Sequence, residues 1–323
     1  MEKHVRPRVA ISGAAVALVF ALSGARPSPA PVTAGAATDH VVVVSMDGLR
    51  PDAIERYGAK TLLRLKREGT YAPTARTIFP SKTLPSHTSM LTGEPPEVHG
   101  ITWNDDQVER AGVVSVPTVF ELAKQAGFTT AAFFSKSKFH HLQKSGTLDY
   151  TQAPNGSDRW LATRTVSDVV TYLKHERPNL LFVHLADADL AGHGMGWMSF
   201  IYGWAVDRLD GAVEKIVRAA DDAYGANNYT LIVTADHGGH DRNHGSRDDS
   251  DMFIPWIVWG KGVTQGGELA AEVRTMDTAA TVAWLLGAAG SPSWAGVPVA
   301  TAFAADARHA AELVYTRHAG AVN

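Results

Sequence analysis

Residues 41–48 read Val-Val-Val-Val-Ser-Met-Asp-Gly, an apolar run broken only by Ser45 and closed by an aspartate and a glycine. A continuous apolar run of this length is typical of a strand buried on both faces of a parallel sheet. Two further runs, Leu180–Leu185 and Tyr229–Ala235, have the same character. All three are followed by acidic residues, and the last two also by histidine, so they predict strands whose ends carry the chemistry.

The rest of the chain alternates between strand-like and helix-like stretches. Further strands are predicted at Thr129–Phe134 and Ile254–Trp259, and helices at Asp52–Glu68, Val116–Gln125, Asp158–His175, Met198–Ala220, Asp277–Leu286 and residues 306–318. Such alternation predicts an α/β fold with a mostly parallel central sheet and helices on both faces. The ligand site of such a sheet lies beyond the carboxyl ends of its strands.

The composition excludes several kinds of site. The 323 residues include no cysteine, so disulfides, thiolate metal sites and a cysteine nucleophile are ruled out. The formal net charge of -3 argues against binding to a nucleic-acid scaffold, which usually requires a basic protein. Neither repeats nor an interdomain linker divide the chain, so one catalytic domain is predicted over residues 39–323.

The first 38 residues are interpreted as a secretory signal peptide and a flexible leader. Lys3, Arg6 and Arg8 precede an apolar run over residues 9–22, and small residues follow. The apolar run is short for a membrane span, which needs about 20 apolar residues. We expect a secreted or extracytoplasmic protein with no stable membrane span after cleavage. An uncleaved anchor is the alternative.

Aspartates and histidines cluster after the three apolar runs. Oxygen and nitrogen ligands of this kind suit zinc, and their number leaves room for a second metal. Any one of them alone is more simply a turn or surface residue, whereas their joint occurrence in this order indicates a metal centre. The candidate ligands are Asp47, Asp189, His193, Asp236, His237 and His244.

The segment around Thr83 contains a candidate nucleophile. Residues 84–91 can open a helix, with Thr83 at or near its N-cap. A helix N-terminus favours negative charge, both on an alkoxide and on an incoming phosphate. A metal on the hydroxyl oxygen would activate it further. The alternative is that Thr83 only caps the helix.

The ordered set of motifs resembles the alkaline phosphatase superfamily, and most closely its type I phosphodiesterase/nucleotide pyrophosphatase branch. The motifs are Asp47-Gly48, Thr83-x-Pro85 with Thr92-Gly93, His99-Gly100-Ile101, Asp189-x-x-Gly-His193, Asp236-His237-Gly238 and His244-Gly245. The resemblance covers nearly the whole chain after the leader. It implies an alkaline-phosphatase-like fold and a metal-dependent phosphoester hydrolase.

The resemblance also implies residue roles. Two Zn²⁺ ions would be bound, one by Asp189, His193 and His244 and the other by Asp47, Asp236 and His237. Thr83 would reach a metal in the free enzyme and form a phosphothreonine. Asn104 would bind a phosphoryl oxygen, with loop stabilisation as the alternative. His240 competes with His244 as a ligand, and the spacing to Gly245 favours His244.

Two departures bear on the substrate, which is expected to be a small phosphate ester or phosphonate. Sulfatases carry an arginine where His87 stands, which argues against that activity. Lys136 and Lys138 resemble the basic pair that grips a dianionic group in some alkaline phosphatases and in phosphonoacetate hydrolases. The family resemblance implies a phosphodiesterase/nucleotide pyrophosphatase-like activity, whereas the two lysines favour the alternative, a phosphomonoesterase or phosphonoacetate hydrolase. A secreted metal-binding protein without turnover is the alternative from another class.

Overall fold

A computed structural model describes residues 37–156 and 159–319. The predicted signal peptide and leader, residues 1–38, lie outside the described residues except for Ala37 and Thr38. Both of these are buried, and both backbone N–H groups donate to the carbonyl of Leu285. No helix in the described ranges is long and apolar enough to cross a membrane.

The described chain is built on one eight-stranded sheet. In chain order the strands are β1 (Val41–Met46), β2 (Thr70–Arg76), β3 (Thr130–Phe133), β4 (Tyr150–Gln152), β5 (Leu180–Leu185), β6 (Thr230–Thr234), β7 (Phe253–Gly260) and β8 (Gly267–Glu268). Their spatial order is β4-β3-β5-β1-β6-β7-β2-β8. The first five in that order are mutually parallel, β7 is antiparallel to both its neighbours, and β8 is parallel to β2.

Twelve α-helices accompany the strands in the described ranges. They are α1 (Pro51–Arg56), α2 (Lys60–Glu68), α3 (Thr83–Thr92), α4 (Pro96–His99), α5 (Val108–Ala111), α6 (Val119–Gln125), α7 (Ala162–Leu173), α8 (Asp187–Met195), α9 (Phe200–Tyr224), α10 (Asp249–Met252), α11 (Asp277–Leu286) and α12 (Ala305–Ala319). Short 3-10 helices cover Ser137–Leu142 and Ala300–Ala302. The sheet and its covering helices confirm the predicted fold class.

The sheet's centre is apolar on both faces, as the sequence predicted. Every residue of β1 and β5 is buried, and the two strands pair in register from Val41 opposite Leu180 to Met46 opposite Leu185. β6 pairs on the other side of β1. Helices α2, α7 and α8 each pack against α9, while α3, α6 and α11 form a second group. The carboxyl ends of β5, β1 and β6 therefore meet at one edge.

The prediction of a single helix over Asp52–Glu68 was wrong. The chain forms α1 and α2 instead, separated by Tyr57, Gly58 and Ala59. Gly58 has φ +63°, a left-handed conformation that glycine adopts without steric cost, and it ends the first helix. The predicted helix from Val116 begins at Val119, because the Thr118 side chain caps it by accepting from the Glu121 N–H.

Candidate active site

Three loops at the sheet's carboxyl edge carry the candidate ligands. Asp47 follows β1, Asp189 lies in the first turn of α8 after β5, and Asp236 with His237 follows β6. The loops are tied together by backbone bonds. The Asp189 N–H donates to the Asp47 carbonyl at 2.9 Å, and the Gly48 N–H donates to Asp236 Oδ1 at 3.1 Å. Adjacent parallel strands thus bring distant residues to one place.

Asp189, His193 and His244 form what we call the open half-site. Asp189 Oδ1 lies 3.3 Å from His193 Nε2 and 3.6 Å from His244 Nε2. Asp189 and His193 share one face of α8 because they are four residues apart. The His193 side chain is 42% exposed, so this half-site faces solvent. His240 lies elsewhere, with its Nδ1 2.7 Å from Asp251 Oδ1.

Asp47, Asp236 and His237, together with the Thr83 hydroxyl, form the buried half-site. His237 Nε2 lies 3.5 Å from Asp47 Oδ1, 3.3 Å from Asp236 Oδ2 and 3.4 Å from Thr83 Oγ1. The side chains of Asp47, Asp236 and His237 have no exposed area. The rings of His237 and His244 stack 3.7 Å apart and so place the two half-sites side by side.

The hydrogen bonds of the three histidines fix which nitrogen faces the site. The Nδ1 atoms of His193, His237 and His244 lie within 3.0 Å of the carbonyls of Arg242, Gly238 and Ser81, respectively. A carbonyl only accepts, so each Nδ1 carries the hydrogen that it donates. Each neutral ring then turns the lone pair of Nε2 toward the carboxylates, the arrangement usual for metal-binding histidines.

The carboxylate oxygens of this site are arranged as in a cation-binding site. Asp47 Oδ1, Asp189 Oδ1 and Asp236 Oδ2 are buried and receive no hydrogen bond from any described residue. Burying a carboxylate oxygen without a hydrogen-bond partner costs free energy. Here lone pairs of oxygen and nitrogen also face each other, and a positive charge between them would remove their repulsion. The donor set therefore fits a metal centre.

The spacing of these donor atoms also fits zinc. The ligand atoms of Asp189, His193 and His244 all lie within 4.8 Å of one another, as do those of Asp47, Asp189 and His237. A tetrahedron with zinc–ligand bonds of about 2.0–2.2 Å has edges of about 3.3–3.6 Å. The distances within both half-sites match such edges, and Asp189 borders both.

Thr83 is placed by the start of α3. It is the first residue of the helix, is 1% exposed, and follows Lys82, which has extended backbone. The Leu84 N–H donates to Asn104 Oδ1 at 2.9 Å, which holds Asn104 beside the helix N-terminus and leaves its amide NH₂ unused by the described residues. The partial positive charge of that terminus favours an anion at Thr83.

Lys136 makes a contact that the sequence analysis did not foresee. Its Nζ lies 2.5 Å from Asp47 Oδ2 and 2.6 Å from Asp189 Oδ2, and its side chain is 5% exposed. It therefore links the oxygens that face away from the half-sites. Burial opposes ionisation of both carboxyls, but the Lys136 ammonium outweighs it and lowers the pKa of Asp47 and of Asp189.

Lys138 differs from Lys136. It is half-buried and makes no hydrogen bond or ion pair with any described residue. Burial and the neighbouring Lys136 charge lower its pKa to about 8, while the charges of Asp47 and Asp189 act in the opposite direction. The structure thus places one lysine against the ligand carboxylates and leaves the other unpaired. The prediction that both bind substrate stays a prediction.

Two further histidines support the buried half-site. His184 Nδ1 accepts from the Ser135 N–H, so its Nε2 donates to Asp47 Oδ2 at 2.9 Å. His87 Nδ1 donates to the Thr83 carbonyl at 2.8 Å and lies 3.4 Å from Asp236 Oδ2. Burial lowers the pKa of His184 to about 4. A single histidine inside the apolar run of β5 was the signal for His184.

Known proteins similar to this chain agree with the geometry. A sequence model of the family described as type I phosphodiesterase/nucleotide pyrophosphatase matches residues 41–253. Ectonucleotide pyrophosphatase/phosphodiesterase family member 1 of Homo sapiens is 28% identical over 226 residues, 64% of this chain and 24% of that protein. Venom phosphodiesterase of Macrovipera lebetinus is 26% identical over 217 residues, which are 61% of this chain and 25% of that protein. The chain thus spans about a quarter of the length of these relatives.

Solved structures share the fold. Inactive murine ectonucleotide pyrophosphatase/phosphodiesterase 5 in complex with AMP superposes with a TM-score of 0.67 at 17% identity, covering 79% of this chain and 96% of that one. A 2-O GAG sulfatase gives a TM-score of 0.67 at 16% identity, covering 82% and 74%. Since the family model spans well over half of the chain, the chain belongs to the type I phosphodiesterase/nucleotide pyrophosphatase family of the alkaline phosphatase superfamily.

Proposed function

We propose that this chain is a two-zinc phosphoester hydrolase that acts through a phosphothreonine at Thr83, with a small-molecule phosphodiester or pyrophosphate as substrate. One observation carries the proposal. Three buried carboxylate oxygens without hydrogen-bond partners face three histidine Nε2 atoms, and the Thr83 hydroxyl lies 3.4 Å from the Nε2 atom of His237. The Thr83 hydroxyl does not cap α3, whose N-cap is Lys82, so helix capping does not account for its position.

In the proposed first step, Thr83 is the attacking group and Asn104 is a hydrogen-bond donor to the substrate. Bound divalent ions would neutralise charge and lower the pKa of the Thr83 hydroxyl and of water. Thr83 Oγ1 attacks phosphorus, forming an oxygen–phosphorus bond as the bond to the leaving oxygen breaks. The Asn104 amide donates to a phosphoryl oxygen, and the N-terminus of α3 favours its negative charge.

Water completes the reaction in a second displacement. It attacks the phosphothreonine in line, the bond between Thr83 Oγ1 and phosphorus breaks, and the hydroxyl is regenerated. Over both steps one water is consumed: its oxygen stays on phosphorus, and the leaving group takes up one proton. The open half-site, with the 42% exposed His193, lies on the side from which solvent can enter.

The family relationship favours a diester or pyrophosphate over a monoester as substrate. The murine family member 5, which shares the fold, was solved in complex with AMP, the kind of product that hydrolysis of a nucleotide diester or pyrophosphate releases.

A phosphomonoester or phosphonoacetate is the second candidate, and Lys138 is the observation in its favour. Lys138 is half-buried and forms no ion pair or hydrogen bond with any described residue. It lies within electrostatic range of Asp47 and Asp189. A monoester carries about one more negative charge than a diester near neutral pH, since its second ionisation has a pKa of about 6. An unpaired ammonium beside the site would favour that dianion.

The test is a comparison of rates on three substrates. Zinc-loaded protein is assayed on a chromogenic phosphomonoester, the matching phosphodiester and phosphonoacetate, each with and without chelator. We expect chelator-sensitive hydrolysis, fastest on the diester. Quenching during turnover and mapping the phosphate to Thr83 checks the intermediate. Zinc binding without hydrolysis of any of the three would leave the non-catalytic metal-binding protein as the better description.

Secretion is part of the same proposal. The basic residues Lys3, Arg6 and Arg8 and the apolar run after them support it. N-terminal sequencing of the protein recovered from culture medium tests it, and an intact Met1 on a membrane-associated protein would contradict it.

A further inference from the structure

Trp197 occupies the junction of the three ligand-bearing loops. It lies between α8 and α9, and it is 7% exposed although it belongs to neither helix. Its indole Nε1–H donates to the Gly48 carbonyl at 2.9 Å, next to Asp47. Its backbone N–H donates to the Asp241 carbonyl at 2.7 Å, in the loop that leads to His244. One residue thus bonds to two of the loops.

Two glycines mark how tightly the indole is held. A Cβ atom at Gly192 would lie 2.5 Å from indole carbons, and one at Gly239 would lie 2.2 Å away. Both distances are far below van der Waals contact, so neither position has room for a side chain while Trp197 is present. Gly192 directly precedes His193, and Gly239 follows His237 by two residues. Neither glycine has the positive φ that would by itself require glycine.

The indole also contacts the open half-site directly. Its ring lies 5.1 Å from the His193 ring at 82° and 5.8 Å from the His244 ring at 62°, both edge-to-face. Such contacts restrict how a histidine ring can rotate about its side chain. The bonds of His193 Nδ1 and His244 Nδ1 to carbonyls fix the same orientation from the other side.

We propose that Trp197 is a positioning residue that holds the loops after β1, β5 and β6 in register and thereby sets the geometry of the open half-site for metal binding. This inference rests on the proposed metal centre. The indole itself touches neither the substrate nor the reacting atoms. Its effect is therefore expected in the affinity of the open half-site for zinc, with the buried half-site less affected.

The first test is zinc binding by metal-free protein, measured by competition with a chromogenic chelator. In Trp197→Ala we expect two equivalents to bind, one of them at least about tenfold more weakly than in wild type, because unrestrained ligands lose pre-organisation. Trp197→Phe should fall between the two. Trp204→Phe, an exposed tryptophan on α9, is the matched control and should bind zinc like wild type. Unchanged zinc affinity in Trp197→Ala would overturn the proposal.

Fluorescence gives a readout that simple loss of packing would not move. Zinc binding to His193 and His244 changes the charge at the indole edge, so Trp197 emission should respond to zinc. We expect a zinc-dependent change in wild type and in Trp204→Phe that is lost in Trp197→Phe. A change of full size in Trp197→Phe would have to come from another of the eight tryptophans and would contradict the expectation that zinc binds next to Trp197.

Gly192→Ala keeps the tryptophan and so covers the case in which Trp197→Ala does not fold. Helix propensity favours alanine over glycine within α8. The proposal predicts the opposite: weaker zinc binding and a lower Tm in Gly192→Ala, with no further loss when alanine at 192 is added to Trp197→Ala. Additive effects, or a Gly192→Ala protein that binds zinc like wild type, would contradict it.

The two proposals fail separately. If wild type binds zinc but hydrolyses nothing, the proposed function fails while the role of Trp197 is judged on zinc affinity. If wild type binds no zinc, the metal centre fails, and non-additive Tm changes for Gly192→Ala and Trp197→Ala in metal-free protein decide whether Trp197 fixes the loops.

Discussion

The two half-sites are built from the same residue types but in opposite surroundings. In the buried half-site the side chains of Asp47, Asp236 and His237 have no exposed area. In the open half-site His193 is 42% exposed. Strand ends position the buried ligands, whereas a helix face and a loop position the open ones. Under the proposed mechanism, the buried half-site would orient Thr83, and the open half-site would exchange water and leaving group with solvent.

The largest expected effect is at the nucleophile, which belongs to the buried half-site. Thr83→Ala should reduce kcat at least about 1000-fold, because the covalent step is lost while the metal centre stays in place. Thr83→Ser should retain part of the activity. Steady-state rates on the best substrate measure this, with zinc content and Tm confirming that the variant is folded and loaded. A Thr83→Ala variant within tenfold of wild type would remove Thr83 from the mechanism.

The next effect compares one histidine from each half-site. His237→Ala should lose about 100-fold or more in kcat, and excess zinc should not restore it, because nothing in the buried half-site can replace the ligand. His193→Ala should lose less, about tenfold, and regain activity as zinc is added, since water can take the ligand position at an exposed site. Activity measured against free zinc concentration checks this. Equal zinc requirements for the two variants would break the distinction between the half-sites.

The two lysines sharpen the comparison, because Lys136 joins the half-sites and Lys138 does not. A charge-assisted hydrogen bond is worth about 1.5–3 kcal/mol, or roughly ten- to hundredfold. Lys138→Ala should slow monoester hydrolysis by about that factor relative to diester hydrolysis. Lys136→Met should slow both, since Asp47 and Asp189 are then no longer held together by a shared cation. Matched kcat/KM values on the two esters give the answer. If Lys138→Ala changes neither rate, Lys138 is a surface residue.

The last prediction concerns stability rather than activity, namely the acid sensitivity of the metal-free protein. Burial lowers the pKa of His99, His184 and His244 to about 4. The unfolded chain protonates each near pH 6.5, so between pH 6.5 and 4 the unfolded state binds more protons and stability falls as pH falls. Each histidine contributes up to about 1.4 kcal/mol per pH unit. The pKa of His193 is raised, chiefly by Asp189, whose Oδ1 lies 3.3 Å from His193 Nε2, and this partly offsets the loss.

Unfolding of chelated protein at pH 7 and pH 5 measures this effect. We expect a lower free energy of unfolding at pH 5. In zinc-loaded protein only the contribution of the proposed ligand His244 should differ, because His99 and His184 are not among the proposed ligands. A metal-free protein equally stable at both values would mean that these histidines are not held neutral.

Much of the fold could be predicted from the sequence because its central strands are uniformly apolar. The bounds of β1 and β5 agree with the prediction, since nothing in either run favours another structure. β2 was not predicted, because its sequence Thr-Tyr-Ala-Pro-Thr-Ala-Arg mixes polar residues with a proline. Its pairing with β7 shifts register between Ala72 and Ala75. Such a shift depends on the partner strand and so cannot be predicted from the sequence of β2 alone.

The candidate site, like the fold, could be predicted only in part. The ligand residues could be named because their motifs are local, and the structure brings all six to one edge of the sheet. Contacts of Lys136 and Trp197 could not be predicted. Lys136 follows β3, and it reaches Asp47 only because β3 and β1 lie on either side of β5. Trp197 meets Gly48 and Gly239 only after three separate loops have assembled.

The contact of Lys136 with Asp47 and Asp189 has a consequence for how the protein matures. Without it, folding the empty centre would gather three bare carboxylates in one buried place, and their mutual repulsion would oppose folding until a metal arrived. The ammonium acts as a built-in counter-ion that leaves one uncompensated charge fewer. The chain can then complete its fold first and acquire metal afterwards, so that metal supply would limit its activity without limiting how much folded protein accumulates.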